Sequence, residues 1–321
     1  MRELDAGSSG RQHALNTIFE LLQKRIRLVC CMDIDLPKRL VIIAGKGCYP
    51  LLLAQSARAQ GVKHITSIAF NKETDKAIET LSDDTRWIYI GQLQRLLDEI
   101  SDSKATAAVM AGQITPTHLF RVRMDGKMLA LLKSLPARNA HTIFSAVGDQ
   151  LADIGVTLLP ASSFMETHMP LAGNLTTALP DPNVQSDIQL GLRVASATSH
   201  LDIGQTVVVK DGTILAVEAF EGTDDTLRRA HKLGGDGMTV VKLAKPGHDM
   251  RFDIPIVGDR TIRILKKCKA AALAVEAGRC ILLGREDIIP MANDAGLVVV
   301  AVSADEVAHI QKNEMKSGDS A

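Results

Sequence analysis

From Arg39 onward the chain alternates short aliphatic runs with helix-length amphipathic stretches, and little but a helix-flanked parallel sheet accommodates that order. Leu40-Val-Ile-Ile-Ala44 suits a strand buried on both faces. Gly45-Lys-Gly47 follows, then a helical pattern from about Pro50 to Gln60, stopped by Gly61. His64–Phe70, Ala105–Met110 and Gly155–Leu159 read as further strands. Gln92–Glu99, Lys127–Leu135 and Asn139–Ala152 read as the helices between them. Residues 39–166 thus predict a Rossmann-like parallel-sheet domain of ordinary size.

Residues 167–183 hold three prolines, Gly173 and several small polar residues, and read as a linker. Residues 184–306 predict a second, distinct α/β domain, opening with a helix from Val184 to Ser199. Asp211-Gly212 between Thr206–Lys210 and Thr213–Val217 is a strong hairpin signal. A second hairpin is expected from Ala272–Val275 and Cys280–Leu283, turning near Gly278. Leu-Ala-Val-Glu-Ala occurs at 215–219 and again at 273–277, without a fixed period. Residues 1–38 form an arm in which Leu15, Ile18, Phe19, Leu22 and Ile26 share one helical face. That face suits packing on the body or, with Lys24, Arg25 and Arg27, lying on an anionic membrane. Residues 307–321 read as a polar tail.

Charge excludes some functions. Lys plus Arg and Asp plus Glu each number 37, so no globally basic surface recommends nucleic acid as a partner. One Trp, two Tyr and seven Phe make a poor stacking platform for single strands. Five cysteines without CxxC spacing read as reduced thiols, not as a disulfide or zinc framework. No apolar run approaches the roughly 20 residues a spanning helix needs. A soluble or peripheral cytoplasmic protein is expected.

Four stretches are candidates for chemistry. Gly45-Lys-Gly47 lies between strand and helix and suits either a phosphate or a plain tight turn. It lacks the third glycine of a dinucleotide loop, and Asn71, not an acid, follows the second strand, which counts against an NAD-type oxidoreductase. In Leu201-Asp-Ile-Gly-Gln205, Asp202 and Gln205 serve either a turn or a ligand. In Glu218-Ala-Phe-Glu-Gly-Thr-Asp-Asp225, Thr223 reads as a helix N-cap. Glu221 and Asp224 there suit either the helix dipole or a divalent cation beside a phosphate. Lys245 to Arg260 packs His248, Asp249, Arg251, Asp253 and Asp259 into a Pro- and Gly-rich loop, either solvated or functional.

The order of motifs is more specific than any one of them. Ala44-Gly-x-Gly-x-x-Pro50, Ala111-Gly112-Gln113, Leu201-Asp-Ile-Gly-Gln205, Leu215 to Asp224, Lys242-Leu-Ala-Lys-Pro-Gly247, Arg251-Phe-Asp-Ile-Pro-Ile-Val-Gly258 and Ala274-Val-Glu-Ala-Gly278 follow one another. Together, over residues 39–304, they resemble the LpxI family of UDP-2,3-diacylglucosamine pyrophosphatases. The resemblance implies attack of water on the α-phosphorus of UDP-2,3-diacylglucosamine, giving UMP and 2,3-diacylglucosamine 1-phosphate (lipid X). It also implies Mg²⁺ or another divalent cation, a homodimer, and a place in lipid A biosynthesis at the inner face of the inner membrane. By matched position it implies Asp253 as the key catalytic acid, with Glu221 and Asp224 as further catalytic and metal-binding acids. It implies Gly45, Gly47, Gly112, Asp202, Gln205, Thr223 and Lys245 as substrate contacts. Two stretches depart from the family: Arg138-Asn-Ala-His141 stands where relatives carry an acidic pair, and Gln-Ile-Thr-Pro-Thr follows Gly112. The first leaves a non-catalytic nucleotide-sugar or lipid-binding protein as the alternative.

Overall fold

The computed structural model describes residues 36–114, 124–137, 139–199, 201, 203–245 and 249–310. The predicted arm helix, Asp202, Arg138, His248 and the last eleven residues lie outside this range.

The first half is a β/α alternation. It runs β1 (Arg39–Ala44), α1 (Tyr49–Ala59), β2 (His64–Phe70), β3 (Asp84–Ile88), α2 (Leu93–Asp102), β4 (Ala107–Ala111), α3 (Gly126–Ser134), α4 (Ala140–Asp153) and β5 (Thr157–Leu158). The five strands pair in parallel in the order β3-β2-β1-β4-β5, the order of a Rossmann-type half. The aliphatic run at Leu40 becomes β1 because helices cover both faces of the sheet. Asp125 and Asn139 cap α3 and α4 through Met128 N–H at 2.8 Å and Thr142 N–H at 2.9 Å. The sequence reading missed β3, an edge strand of sequence Asp-Thr-Arg-Trp-Ile. Its hydrophobic pattern is broken by Arg86, which pairs with Asp84 and Glu99.

The second half runs β6 (Gly173–Asn174), α5 (Pro182–Ser199), β7 (Thr206–Lys210), β8 (Thr213–Val217), α6 (Thr223–Gly234), β9 (Thr239–Lys242), β10 (Ile256–Val257), α7 (Asp259–Lys267), β11 (Ala272–Glu276), β12 (Ile281–Leu282), α8 (Arg285–Asp294) and β13 (Val298–Val302). Six strands form a mixed sheet ordered β6-β13-β11-β9-β7-β8. In it β9, β11 and β13 are parallel, while β6 and β7 pair antiparallel on the two sides. The predicted linker segment therefore supplies a strand to this sheet.

The hairpin at Asp211-Gly212 forms as expected. Both residues take positive φ, 49° and 73°, as a type I′ turn requires. The sequence did not reveal its anchor. Buried Asp187 of α5 accepts from the amides of Asp211 at 3.0 Å and Gly212 at 2.8 Å. The second predicted hairpin does not form. β11 is buried along its whole length and already paired in parallel on both sides, so no edge remains for an antiparallel return. Instead the chain turns at Gly278 (φ 67°) and Ile281-Leu282 pairs in parallel with Ile256-Val257. Nor is the chain after Asp305 all polar surface: Val307 and Ile310 are buried beside α5 residues Ile188 and Leu192.

The β10–β12 ribbon joins the two hydrophobic cores, and Lys38–Ala321 forms one unit. Strand alternation sends Ile256 and Ile281 to the core of the first sheet, and Val257 and Leu282 to that of the second. α5 crosses the second sheet so closely that a Cβ at Gly191 would collide with the Val241 side chain. Gly191→Ala is therefore expected to destabilise the protein by about 1–3 kcal/mol, read from the urea unfolding midpoint at unchanged m value.

Candidate functional site

Sheet order alone locates the first crevice. The direction of winding reverses between β1 and β4, and ligands of open α/β sheets bind at such a point, beyond the strands' C-terminal ends. There the two following loops are zipped together. Gly45 N–H donates to Ala111 O at 2.7 Å, Lys46 N–H to Gln113 O at 2.8 Å, and Gln113 N–H to Lys46 O at 3.1 Å. A Cβ on Gly45 would lie 2.8 Å from Gln113 O, and one on Gly112 (φ 92°) 2.8 Å from Lys46 O. These two glycines permit a backbone seam. Gly47 differs: its φ is 96° and the space where a side chain would point is empty. Lys46, Gly47 and Cys48 are exposed, and α1 starts behind them with no side-chain cap. Pro50 in its first turn has no N–H, so the Tyr49 and Leu51 amides are the ones left for an anion.

Beside this seam lies an apolar cavity of about 320 Å³, lined by residues such as Ile43, Met110, Met128, Phe144, Phe252 and Ile254. The last two come from the other half of the chain, where they flank Asp253. The segment carrying them is anchored at several points. Ala161 N–H donates to Met250 O at 2.8 Å. Arg251 grips Asp249 through Nε at 2.8 Å and Nη2 at 2.5 Å, and lies over Gly148 of α4, where a Cβ would sit 3.2 Å from Nη1. Phe252 and Asp253 return their amides to Asp249 O at 3.2 and 3.1 Å. His141 of α4 meets Phe252 edge-on at 5.6 Å, so the departing Arg138–His141 stretch brings an imidazole next to the Asp253 segment.

Asp253 meets one of its predicted companions. Gln205 Nε2 donates to Asp253 Oδ1 at 2.7 Å across 48 residues of sequence. The two acids of the Glu-Gly-Thr-Asp motif do not join them. Glu221 folds back onto α6, accepting from Arg229 Nη2 at 2.5 Å and Thr226 Oγ1 at 3.2 Å, and the Arg229 guanidinium holds its carboxyl below the usual range. Asp224 is ion-paired to Arg260 of α7. Among the described residues no three His, Cys, Asp or Glu side chains gather as a metal cage, so the expected three-carboxylate set is not assembled. Glu221 is held by Arg229 of α6 and Asp224 by Arg260 of α7, and the helix start favours both acids there.

The N-cap of α6 is Gly222 (φ 82°), not Thr223. Thr223 turns inward, donating to Glu218 Oε1 at 3.0 Å and accepting from Lys242 Nζ at 2.7 Å. Lys242 was not foreseen, because a lysine ending a Thr-Val-Val-Lys strand gives no local sign of burial. It is 6% exposed, and the predicted contact Lys245 is 9% exposed. Glu276, at the end of β11, is buried with Ala244 N–H and Arg279, and burial raises its carboxyl. Burial pushes the nearby Cys280 thiol up to about 12, which leaves it inert as a nucleophile.

The LpxI N-terminal domain family matches residues 39–168 and the LpxI C-terminal domain family matches residues 171–300. The chain belongs to the LpxI family. A similar curated protein is the UDP-2,3-diacylglucosamine pyrophosphatase LpxI of Caulobacter vibrioides, 28% identical over 284 residues, 84% of this chain and 99% of that protein. Among solved structures, biotin carboxylase domains from Hydrogenobacter thermophilus and Campylobacter jejuni match distantly, at 12% and 11% identity. Each covers about 61% of this LpxI-family chain and 41–42% of its own, with TM-scores of 0.23 and 0.25, too low to carry an argument.

The Asp249–Arg251 grip yields a pH prediction. Arg251 holds the Asp249 carboxyl below its ordinary value, so the pair stabilises the fold above the unfolded carboxylate pKa of about 3.9 and is lost as pH falls through the lower folded value. Asp249→Asn is expected to cost about 1–2 kcal/mol at pH 7, and the difference is expected to shrink progressively as pH falls below the unfolded carboxylate value of about 3.9, measured by urea unfolding across pH.

Proposed function

We propose that this LpxI-family chain is a hydrolase that splits the pyrophosphate of UDP-2,3-diacylglucosamine, water attacking the α-phosphorus to give UMP and lipid X. The observation that carries the reading is the Gln205–Asp253 pair on a segment whose flanking Phe252 and Ile254 line an apolar cavity. One short segment thus sets a carboxylate beside a place for hydrocarbon, as a diacyl sugar phosphate requires. Gln205 orients Asp253 by donating to Oδ1, and the carboxylate in turn orients water for attack. The open backbone at Gly47 and the uncapped start of α1 suit the nucleotide phosphate.

A divalent cation fits this donor set in one form. Mg²⁺ is commonly held by one or two carboxylates with substrate phosphates and water completing its shell. Asp253 would hold it, and Lys245 lies on the adjoining stretch for the substrate's negative charge. The bound ion would neutralise charge developing on the pyrophosphate. No described helix is long and apolar enough to cross a membrane. We place the enzyme peripherally at the inner membrane's cytoplasmic face because a diacyl substrate resides in a lipid surface, and expect the homodimer of the family.

The test is incubation of the purified full chain with UDP-2,3-diacylglucosamine and Mg²⁺ in ¹⁸O-labelled water. Label is expected in UMP, with chelation abolishing turnover and Asp253→Ala lowering kcat roughly 100-fold or more. Label in lipid X would move the attack to the other phosphorus. Substrate binding without UMP would favour the non-catalytic binding protein.

A further inference from the structure

The second sheet carries a buried charge that the proposed reaction leaves unused. Lys242 ends β9 at the C-terminal edge of the parallel strands β9, β11 and β13, the edge where sheets of this kind place ligands. The residue is 6% exposed, yet its ammonium has two neutral hydroxyls as partners, Thr223 Oγ1 at 2.7 Å and Thr206 Oγ1 at 3.4 Å. The balancing carboxylate stands one hydroxyl away. Thr223 passes the contact to Glu218 Oε1 at 3.0 Å, while Glu218 Oε2 is buried without a hydrogen bond. A buried cation held in this way is costly, and a methionine of similar length would fill the space without charge.

The ring formed by Glu218, Thr223, Lys242 and Thr206 encloses the residues that carry Gln205. Leu243 N–H donates to Gln205 O at 3.0 Å, and Glu218 N–H donates to Thr206 O at 2.8 Å. Gly204 lies so close to Glu218 that a Cβ there would be 2.6 Å from Glu218 Cγ and Glu218 O. Lys242 therefore clasps the start of β7 with its side chain while its chain neighbour clasps it with the backbone. From that point Gln205 reaches Asp253.

We infer that Lys242 is a positioning residue that, through Thr223 and Thr206, locks the start of β7 against the start of α6 and so holds Gln205 on Asp253. The inference rests on the hydrolase reading above for its kinetic consequence and on geometry alone for its structural one. Misplacing a group that orients the catalytic carboxylate affects the chemical step more than substrate affinity.

The experiment uses the full chain with Lys242→Met, Thr223→Val and Thr223→Ser. Lys242→Met and Thr223→Val are expected to lower kcat about 10- to 100-fold with KM within about threefold of the parent, a loss larger than any shift in the unfolding midpoint accounts for. Thr223→Ser, which restores the hydroxyl, is expected to recover most of the rate lost in Thr223→Val. In protein labelled with ¹⁵N-glutamine, the Gln205 side-chain amide resonance, assigned through Gln205→Leu, is expected to move in the first two variants and return in the third. That readout needs no turnover, so it decides the inference even if the parent makes no UMP. An unmoved resonance, full kcat in Lys242→Met, or a loss that follows the unfolding midpoint would each overturn it. If Lys242→Met does not fold, the Thr223 pair decides by the same criteria.

Discussion

The segment Asp249–Val257 is the constraint on which the rest of the structure depends. It must satisfy two hydrophobic cores at once, and strand alternation lets it do so. Ile254 and Ile256 pack on the first core and Val257 on the second, while β12 repeats the division with Ile281 and Leu282. Moving β10 by one residue would exchange its two faces and expose both cores to mismatched partners. Asp253 lies just before this strand, in a turn whose amides return to Asp249 O. Its apolar neighbours Phe252 and Ile254 line the cavity.

Around this segment, charge is arranged by neighbourhood. Exposed helix starts hold Glu221 and Asp224 on arginines, where such pairs contribute little stability but direct the side chains. Buried positions behave differently. Lys242 and Glu276 end adjacent strands of the second sheet, and each is met by hydroxyls, amides or a counter-charge. The Asp253 segment thus meets the apolar cavity through Phe252 and Ile254, and meets the second sheet through Gln205, whose carbonyl accepts from Leu243 N–H next to Lys242. This fits a substrate that joins a charged pyrophosphate to hydrocarbon.

Much of the framework was legible in the sequence. Aliphatic runs at Leu40 and Ala105 announced buried parallel strands, and Asp211-Gly212 announced a turn whose dihedral angles few other pairs adopt. Legibility failed where local pattern and tertiary setting disagreed. β3 is too polar to read as a strand until α2 supplies Glu99 for Arg86. β11 and β12 read as a hairpin because short aliphatic runs about a glycine carry no record of which neighbours already occupy their edges. In the site, Asp253 and Gln205 were named from their motifs, and the structure brings them together. Lys242 was missed, since burial of a strand-end lysine is decided by Thr223, Thr206 and Glu218.

What the sequence determined by itself is the set of local preferences: where strands and helices form, where glycine relieves a positive φ, and which motifs follow one another. These depend on residues within a few positions of each other. What only the tertiary structure decided is the company each polar group keeps. Gln205 and Asp253 lie 48 residues apart, and Lys242 and Thr206 lie 36 apart. Such pairings arise from the packing of two sheets through one ribbon, since buried polar groups must find partners wherever the fold delivers them. Tertiary packing separated three carboxylates that look interchangeable in sequence, directing two to arginines and one to the candidate centre.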